Sequence, residues 1–340
     1  MRILYIGQLW EGGTALERMK ILEGFGHSIV PFDVMPFAKS SSRLLRSIAA
    51  RFNVGPILTN LNRSLKQEAA GLKSISHIWV DKGIWIYPET LQSLKHTTCA
   101  TAIHYTPDPQ IFLHRSRHFI SSLPFYDVVI TTKEWEVEAY KKAGAKRVFL
   151  TYQGYDRRFY PRTVGHAEWE RFGSDVCFIG HPEKHYAKKL KALSSLDLRL
   201  RIWGPGWPRY ARMHSWAKGL AGDGIWGESY PTALTSTKIA LGLLSKWIPE
   251  TSTTRSFEIP AVGTFLLAER TTLHQELFEE GKEAEFFSSD EEMMDKTRFY
   301  LKHGEARKTI AAAGRARCER SGYSSAALLR KVIDTIGTLE

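Results

Sequence analysis

Short apolar runs recur along this chain, each followed by a glycine, a loop or a helical stretch. They are R-I-L-Y-I-G (2–7), H-S-I-V-P-F-D (27–33), I-S-H-I-W-V-D-K-G (75–83), C-A-T-A-I-H-Y-T (99–106), Y-D-V-V-I-T-T (126–132) and K-R-V-F-L-T-Y (146–152). After a gap they resume as D-V-C-F-I-G-H (175–181), L-R-L-R-I-W-G (198–204), A-L-G-L-L (240–244) and T-F-L-L-A (264–268). Compact apolar runs without period-2 alternation suit strands buried on both faces, and a sheet covered on both faces by helices is a parallel α/β sheet. The stretch Q-G-Y-D-R-R-F-Y-P-R-T-V-G loses all periodicity, so a domain boundary is expected near residues 152–166. Two domains also suit a length of 340 residues with 43% hydrophobic composition.

Cys99, Cys177 and Cys318 are widely spaced, and the first two fall in strand-like runs where a reduced thiol packs as a small hydrophobe. Neither a disulfide nor a zinc site is expected. No apolar run reaches the ~18 residues of a membrane span, and the first residues lead into polar sequence without a cleavage signal. A cytoplasmic protein is therefore expected. The net charge of +11 favours an anionic partner: a phosphate-bearing substrate, an acidic membrane surface or nucleic acid. Residues 39–66 hold six Lys or Arg and no Asp or Glu, with Leu44, Leu45, Ile48, Ala49 and Phe52 at helical spacing. Such a segment either lies on an anionic membrane, peripherally, or packs its apolar stripe on the sheet with its cations solvated.

In the first half, Gly12 and Gly13 precede a helix expected to open at Thr14; they allow close backbone approach to an acceptor or phosphate, or simply a tight turn. His104 lies toward the end of the fourth run and Asp108 in the Pro-rich loop it runs into, which places both near the carboxyl edge of the sheet, where open α/β sheets bind ligands.

The stretch 250–263, E-T-S-T-T-R-S-F-E-I-P-A-V-G, is the richest in chemistry. Ser252, Thr253 and Thr254 are helix-capping types, Arg255 puts a cation in the first turn, and a helix start attracts phosphate. Glu258 lies about one turn in, where its two oxygens suit a vicinal diol such as a ribose, and Glu250 suits other hydroxyls. The competing reading is an exposed carboxylate paired with Arg255 at three residues' spacing. Pro260 cannot donate to Ser256, so the helix starts late or bends there.

Glu, seven residues, Glu, then x-x-Ala-x-Gly resembles the donor-site motif of retaining GT-B glycosyltransferases. The phrase R-S-F-E-I-P-A-V-G, with T-F-L-L after it and E-E-G-K-E at 279–283, resembles the C-terminal domain of the spore-maturation-type glycosyltransferase-like proteins over roughly residues 174–317. The resemblance implies a GT-B fold: two Rossmann-like domains facing across a cleft, an acceptor-binding domain at 1–158, a nucleotide-sugar-binding domain at 159–318, and a terminal helix at 319–340 crossing back. It implies that Glu258 holds the ribose and Glu250 the donor sugar, and that His104 faces that sugar, with Asp108 shaping the acceptor loop. Gly180 and His181 end the first strand of the second domain; related enzymes carry an arginine where His181 stands, so Lys184, Lys188 or Arg255 is expected to take that phosphate contact. The turns at Gly204 and Gly206 and at G-I-W-G-E-S-Y-P would frame the nucleobase.

The implied function is transfer of a sugar from a nucleoside diphosphate sugar, UDP foremost, to a hydroxyl of a glycan, lipid-linked or other acceptor, with retention. Neither a cofactor nor a metal is expected, since cations and N–H groups offset the diphosphate charge. Two other readings stand beside it: a nucleotide-sugar epimerase on the same scaffold, and a nucleic-acid-directed protein, including one that glycosylates modified DNA.

Overall fold

The computed structural model describes residues 1–113 and 115–337. Its contacts divide the chain into two compact units, Met1–Tyr152 joined by the segment from Arg330 onward, and Gln153–Leu329. Each holds one six-stranded sheet in which every pairing is parallel.

The first sheet comprises β1 (Arg2–Gly7), β2 (Ser28–Asp33), β3 (His77–Asp81), β4 (Thr101–Thr106), β5 (Val128–Thr131) and β6 (Val148–Leu150), in the spatial order β2-β1-β3-β4-β5-β6. β1, β3, β4 and β5 are buried almost throughout, whereas β2 and β6 are partly exposed. Their edge positions explain this, and they also explain Pro31 in β2: a residue with no N–H to donate is tolerated on an edge. Leu4, Ile6, Ile78, Val80, Ala102 and Val129 project from the strands onto Leu61 and Leu65 of the helix Pro56–Ala70 and Leu91 and Leu94 of the helix Pro88–Thr98.

The second sheet comprises β7 (Ser174–Ile179), β8 (Leu200–Trp203), β9 (Ala221–Gly222), β10 (Thr237–Gly242), β11 (Phe265–Glu269) and β12 (Glu285–Phe287), in the order β12-β11-β10-β7-β8-β9. The chain thus runs outward to one edge through β8 and β9, then returns past β7 to build the other half. The gap between β7 and β10 is the topological switch point, the place where open α/β sheets leave a crevice beyond the strand ends. The core joins Val176, Phe178, Ile202, Leu241 and Leu267 of the strands to Leu190, Leu193, Met293 and Ile310 of the covering helices.

Several expectations shift in the structure. Residues 153–158, expected with the first half, pack with the second: Tyr155 bridges Ser324, and a side chain at Gly154 would lie 2.8 Å from the Tyr323 carbonyl oxygen. Cys99 is not in a strand but is the exposed left-handed residue that closes the helix Pro88–Thr98, at φ +53°. The short edge strands β9 and β12 have no run long enough to show as strands in the sequence. The helix carrying Glu258 spans only Arg255–Ala261, with Pro260 next to its end and Gly263 at φ +83° turning the chain into β11.

Candidate active site

In the second unit the residues of the Glu-x7-Glu stretch gather at the carboxyl edge of the sheet. The Arg255 guanidinium lies across the switch point: Nη1 donates to the Ile179 carbonyl at the end of β7, 3.2 Å away, and Nη2 to the Leu243 carbonyl just after β10, 2.9 Å away. Its face rests 5.3 Å from the centre of the Phe178 ring, and its buried Nε has no hydrogen-bond partner. A fixed, incompletely satisfied cation therefore lies at the switch point of the second sheet.

Gly180 and Gly204 border the same edge because their backbones touch. A Cβ on Gly204 would stand 2.0 Å from the Gly180 carbonyl oxygen, and Gly204 has φ +152°. The Gly180 oxygen also accepts from Trp207 Nε1 at 2.8 Å. Gly206, at φ +96°, starts the helix Trp207–Met213. The Gly-Pro-Gly turn is thus a close-packed backbone corner.

The loop 243–250 is held from both sides. Glu269, at the end of β11, accepts from Leu244 N–H at 3.0 Å and pairs with His185 at 2.9 Å and Lys246 at 2.6 Å. Burial alone would raise the Glu269 pKa, but Lys246, the Leu244 N–H and His185 together hold it below the ordinary carboxylate value. Glu250 Oε2 accepts from Ser245 N–H at 3.0 Å, and Ser245 Oγ donates to Glu183 at 3.0 Å. Glu250 is part of this scaffold, and Trp247 projects from it, 75% exposed.

Glu258 is buried. Its Oε2 accepts from the Tyr230 hydroxyl at 2.7 Å, and the Tyr230 ring stands edge-on to Phe159. Burial pushes the Glu258 carboxyl up to about 7, the Tyr230 hydrogen bond opposes that shift, and Asp156 adds to it. The reading as an exposed carboxylate paired with Arg255 is thereby set aside. Tyr230 was missed in the sequence; it lies twenty-eight residues upstream in G-E-S-Y-P, and only the packing of the helix Ser229–Thr235 brings it to Glu258.

The expected hydroxyl caps differ from what is found. Thr254 is the residue before the helix but makes no side-chain cap bond, and Thr253 Oγ1 is buried without a partner. Thr253 N–H instead donates to Ser256 Oγ at 3.1 Å, and Ser256 Oγ meets His274 Nε2 at 2.7 Å. Ser252 is partly exposed beside them. Of the candidate phosphate ligands, His181 and Lys184 are exposed, while Lys188 is engaged by Asp290 at 3.1 Å, the same carboxylate that holds Lys189.

In the first unit His104 requires a correction. It lies within β4, fully buried, with its ring 4.6 Å from that of Phe119 and 5.2 Å from that of Tyr126, and its Nε2 donates to the Lys82 carbonyl oxygen at 3.2 Å. Burial lowers its pKa to about 4, so it is a neutral core imidazole. The strand ends two residues later than a site at the edge would require. Asp108 does reach the edge: its carboxylate pairs with Lys82 at 2.7 Å, and its N–H is held by Thr106 Oγ1 at 3.0 Å. Gly12 has φ +84°, and Gly13 N–H donates to the Trp10 carbonyl at 2.9 Å, a tight turn ahead of the helix Thr14–Gly24.

Two features of this edge went unread in the sequence. Asp81, at the end of β3, receives both the Tyr5 hydroxyl at 2.9 Å and Arg18 Nε at 2.7 Å, and the Arg18 guanidinium lies 3.8 Å over the Tyr105 ring. These groups occupy the first sheet's own switch point, between β1 and β3. Lys82 beside them is left-handed at φ +69°. Among the described residues no three His, Cys, Asp or Glu side chains gather as a metal cluster.

Fold and site define a two-unit α/β protein in which Arg255 spans the switch point of the second sheet, with Glu250 and Glu258 flanking it in the chain, on the architecture of the GT-B fold. Residues 184–334 match the family model described as glycosyl transferase-like. No curated protein matches the sequence. Among solved structures, Alr3699/HepE of Anabaena in complex with UDP-glucose is similar at 14% identity and TM-score 0.69, over 99% of this chain and 100% of that one. Sucrose-phosphate synthase from Thermosynechococcus elongatus is similar at 11% identity and TM-score 0.70, over 100% of both chains. A glycosyltransferase from Rickettsia africae follows at 12% identity and TM-score 0.65, over 98% and 97%. Residues 184–334 thus match a glycosyl transferase-like family model, and the chain as a whole shares the GT-B fold of these structures.

Proposed function

We propose that the chain transfers a sugar from a UDP-sugar to an acceptor hydroxyl, with retention of configuration and without a metal ion. The donor binds at the carboxyl edge of the second sheet, and the first unit binds the acceptor. The observation that carries this reading is Arg255, laid across the switch point with Glu250 and Glu258 on either side of it in the chain. In that role the crevice cation, with exposed Lys184 and His181 beyond β7, offsets the diphosphate charge as it develops on the leaving group. Glu258 accepts from the ribose hydroxyls and Glu250 from those of the sugar. The acceptor proton passes to the departing phosphate oxygen as the new glycosidic bond forms and the bond to phosphate breaks. Asp108, held by Lys82, shapes the acceptor loop, and His104 supports the core beneath it. The HepE structures, which hold UDP or UDP-glucose on the same fold, support UDP as the nucleotide.

The test is a UDP titration of the wild-type chain and Glu258→Ala, followed by turnover in excess chelator. Loss of a hydrogen bond to a charged group costs ~1.5–3 kcal/mol, so UDP affinity is expected to fall roughly 10- to 150-fold, and turnover is expected to survive chelation. Unchanged UDP affinity in a folded variant removes the ribose role. Activity lost to chelator and restored by manganese removes metal independence, and an isomerised sugar formed without acceptor makes the protein an epimerase.

A further inference from the structure

The helix Arg43–Phe52 is firmly placed yet turns an unusual face outward. Ser42 Oγ accepts from Leu45 N–H at 3.3 Å at its start, and Asn53, left-handed at φ +53°, closes its end. Ala49 and Leu45 pack inward with Ile57 and Leu58 of the next helix. Outward stand Arg43, Leu44, Ser47 and Arg51, with Phe52 and Val54 at the C-terminal end. Leu44 is 69% exposed and Phe52 62%. Arg51 lies over the Phe52 ring, 5.7 Å from its centre. No carboxylate occurs anywhere between Asp33 and Glu68, so these cations have no acidic neighbour in their own segment.

A second strip continues this face. His118 Nε2 donates to the Asn53 carbonyl oxygen at 2.9 Å, which ties the helix end to the segment that follows β4. That segment carries exposed Phe112, Leu113, Arg115 and Arg117. Exposed apolar side chains scattered singly need no explanation, but here they alternate with cations on two joined elements. The pattern is that of an interfacial amphipathic surface, with apolar groups to enter the acyl boundary and cations to meet lipid phosphates.

We propose that this face, built from the helix Arg43–Phe52 and Val54 together with Phe112, Leu113, Arg115 and Arg117, docks the first unit peripherally on an anionic lipid bilayer. A nucleic acid would use the arginines and leave Leu44 and Phe52 in water; a bilayer with anionic headgroups takes both. Because the strip leads directly from β4, docking places the carboxyl edge of the first sheet, with Asp108, close to the lipid surface.

The experiment is flotation of the full chain with phosphatidylcholine vesicles, with and without phosphatidylglycerol. The wild-type chain is expected to float with the anionic vesicles only. Each basic residue near such a surface contributes enough that Arg43→Gln, Arg46→Gln and Arg51→Gln together reduce partitioning about 100-fold. Leu44→Ser with Phe52→Ser reduces it about tenfold or more through lost apolar insertion. All five positions are exposed or flanking, and an unchanged thermal melt establishes that each variant is folded. A wild-type chain that stays unbound overturns the proposal. So does full binding by the serine variant, the result expected of a polyanion site, for which a parallel titration with RNA homopolymer is the check. UDP affinity is measured on the same samples: a chain that floats without binding UDP refutes the donor reading and leaves this one standing.

Discussion

Replacing Glu258 by Gln tests whether its carboxyl is as deeply held as the structure has it. In the folded chain burial raises its pKa from 4.5 to about 7. Between those two pH values the native state keeps a proton that the unfolded chain releases, so the native state binds more protons and stability falls as pH rises. The stabilising contribution is complete below about pH 4.5 and gone above about pH 7. A shift of this size corresponds to about 3 kcal/mol across the window. The glutamine variant has no such titration, and Tyr230 can still donate to its amide oxygen. The difference in stability, variant minus wild type, is therefore expected to grow by about 3 kcal/mol from pH 4.5 to pH 7. Glu136, raised to about 7 by its own burial, and His104, lowered to about 4, titrate in both proteins and cancel. Urea unfolding of the pair at a series of pH values gives the difference directly. A difference that stays flat across the window means that Glu258 is solvated in the native state, and the account of its environment is wrong.

Two further outcomes come from the same edge. Tyr230→Phe leaves Glu258 Oε2 buried without its donor, which is expected to cost about 1–3 kcal/mol at pH 8 and much less at pH 5, where the carboxyl holds its own proton; unfolding at the two pH values checks it. Gly204→Ala drives a methyl group to 2.0 Å from the Gly180 oxygen at a φ of +152°. A loss of about 3 kcal/mol or more, or failure to fold, is expected in thermal melts.

Much of the architecture was legible because burial on both faces leaves a mark in one dimension. β1, β3, β5, β7 and β11 are continuous apolar runs, and continuous apolar runs of this length fit little besides interior parallel strands. The Glu-x7-Glu stretch was legible for a similar reason: its residues are close in sequence and lie on the single connection from β10 to β11. β9 and β12 were not, since strands of two and three residues at a sheet edge owe their form to the neighbours that pair with them.

What the sequence determined by itself was the alternation of strand and helix, the two-part division and the position of the Glu-x7-Glu stretch between two strands. Tertiary structure alone decided which groups in that stretch face one another. Strand order set the switch point between β7 and β10, and so gave Arg255 two carbonyls from strands more than sixty residues apart in the chain to bind. Packing carried Tyr230 to Glu258 and drew His104 into the core, because the depth of a side chain depends on the helices that cover its strand. Local sequence states what a residue offers; its partners and its exposure to water arise only when distant segments close around it.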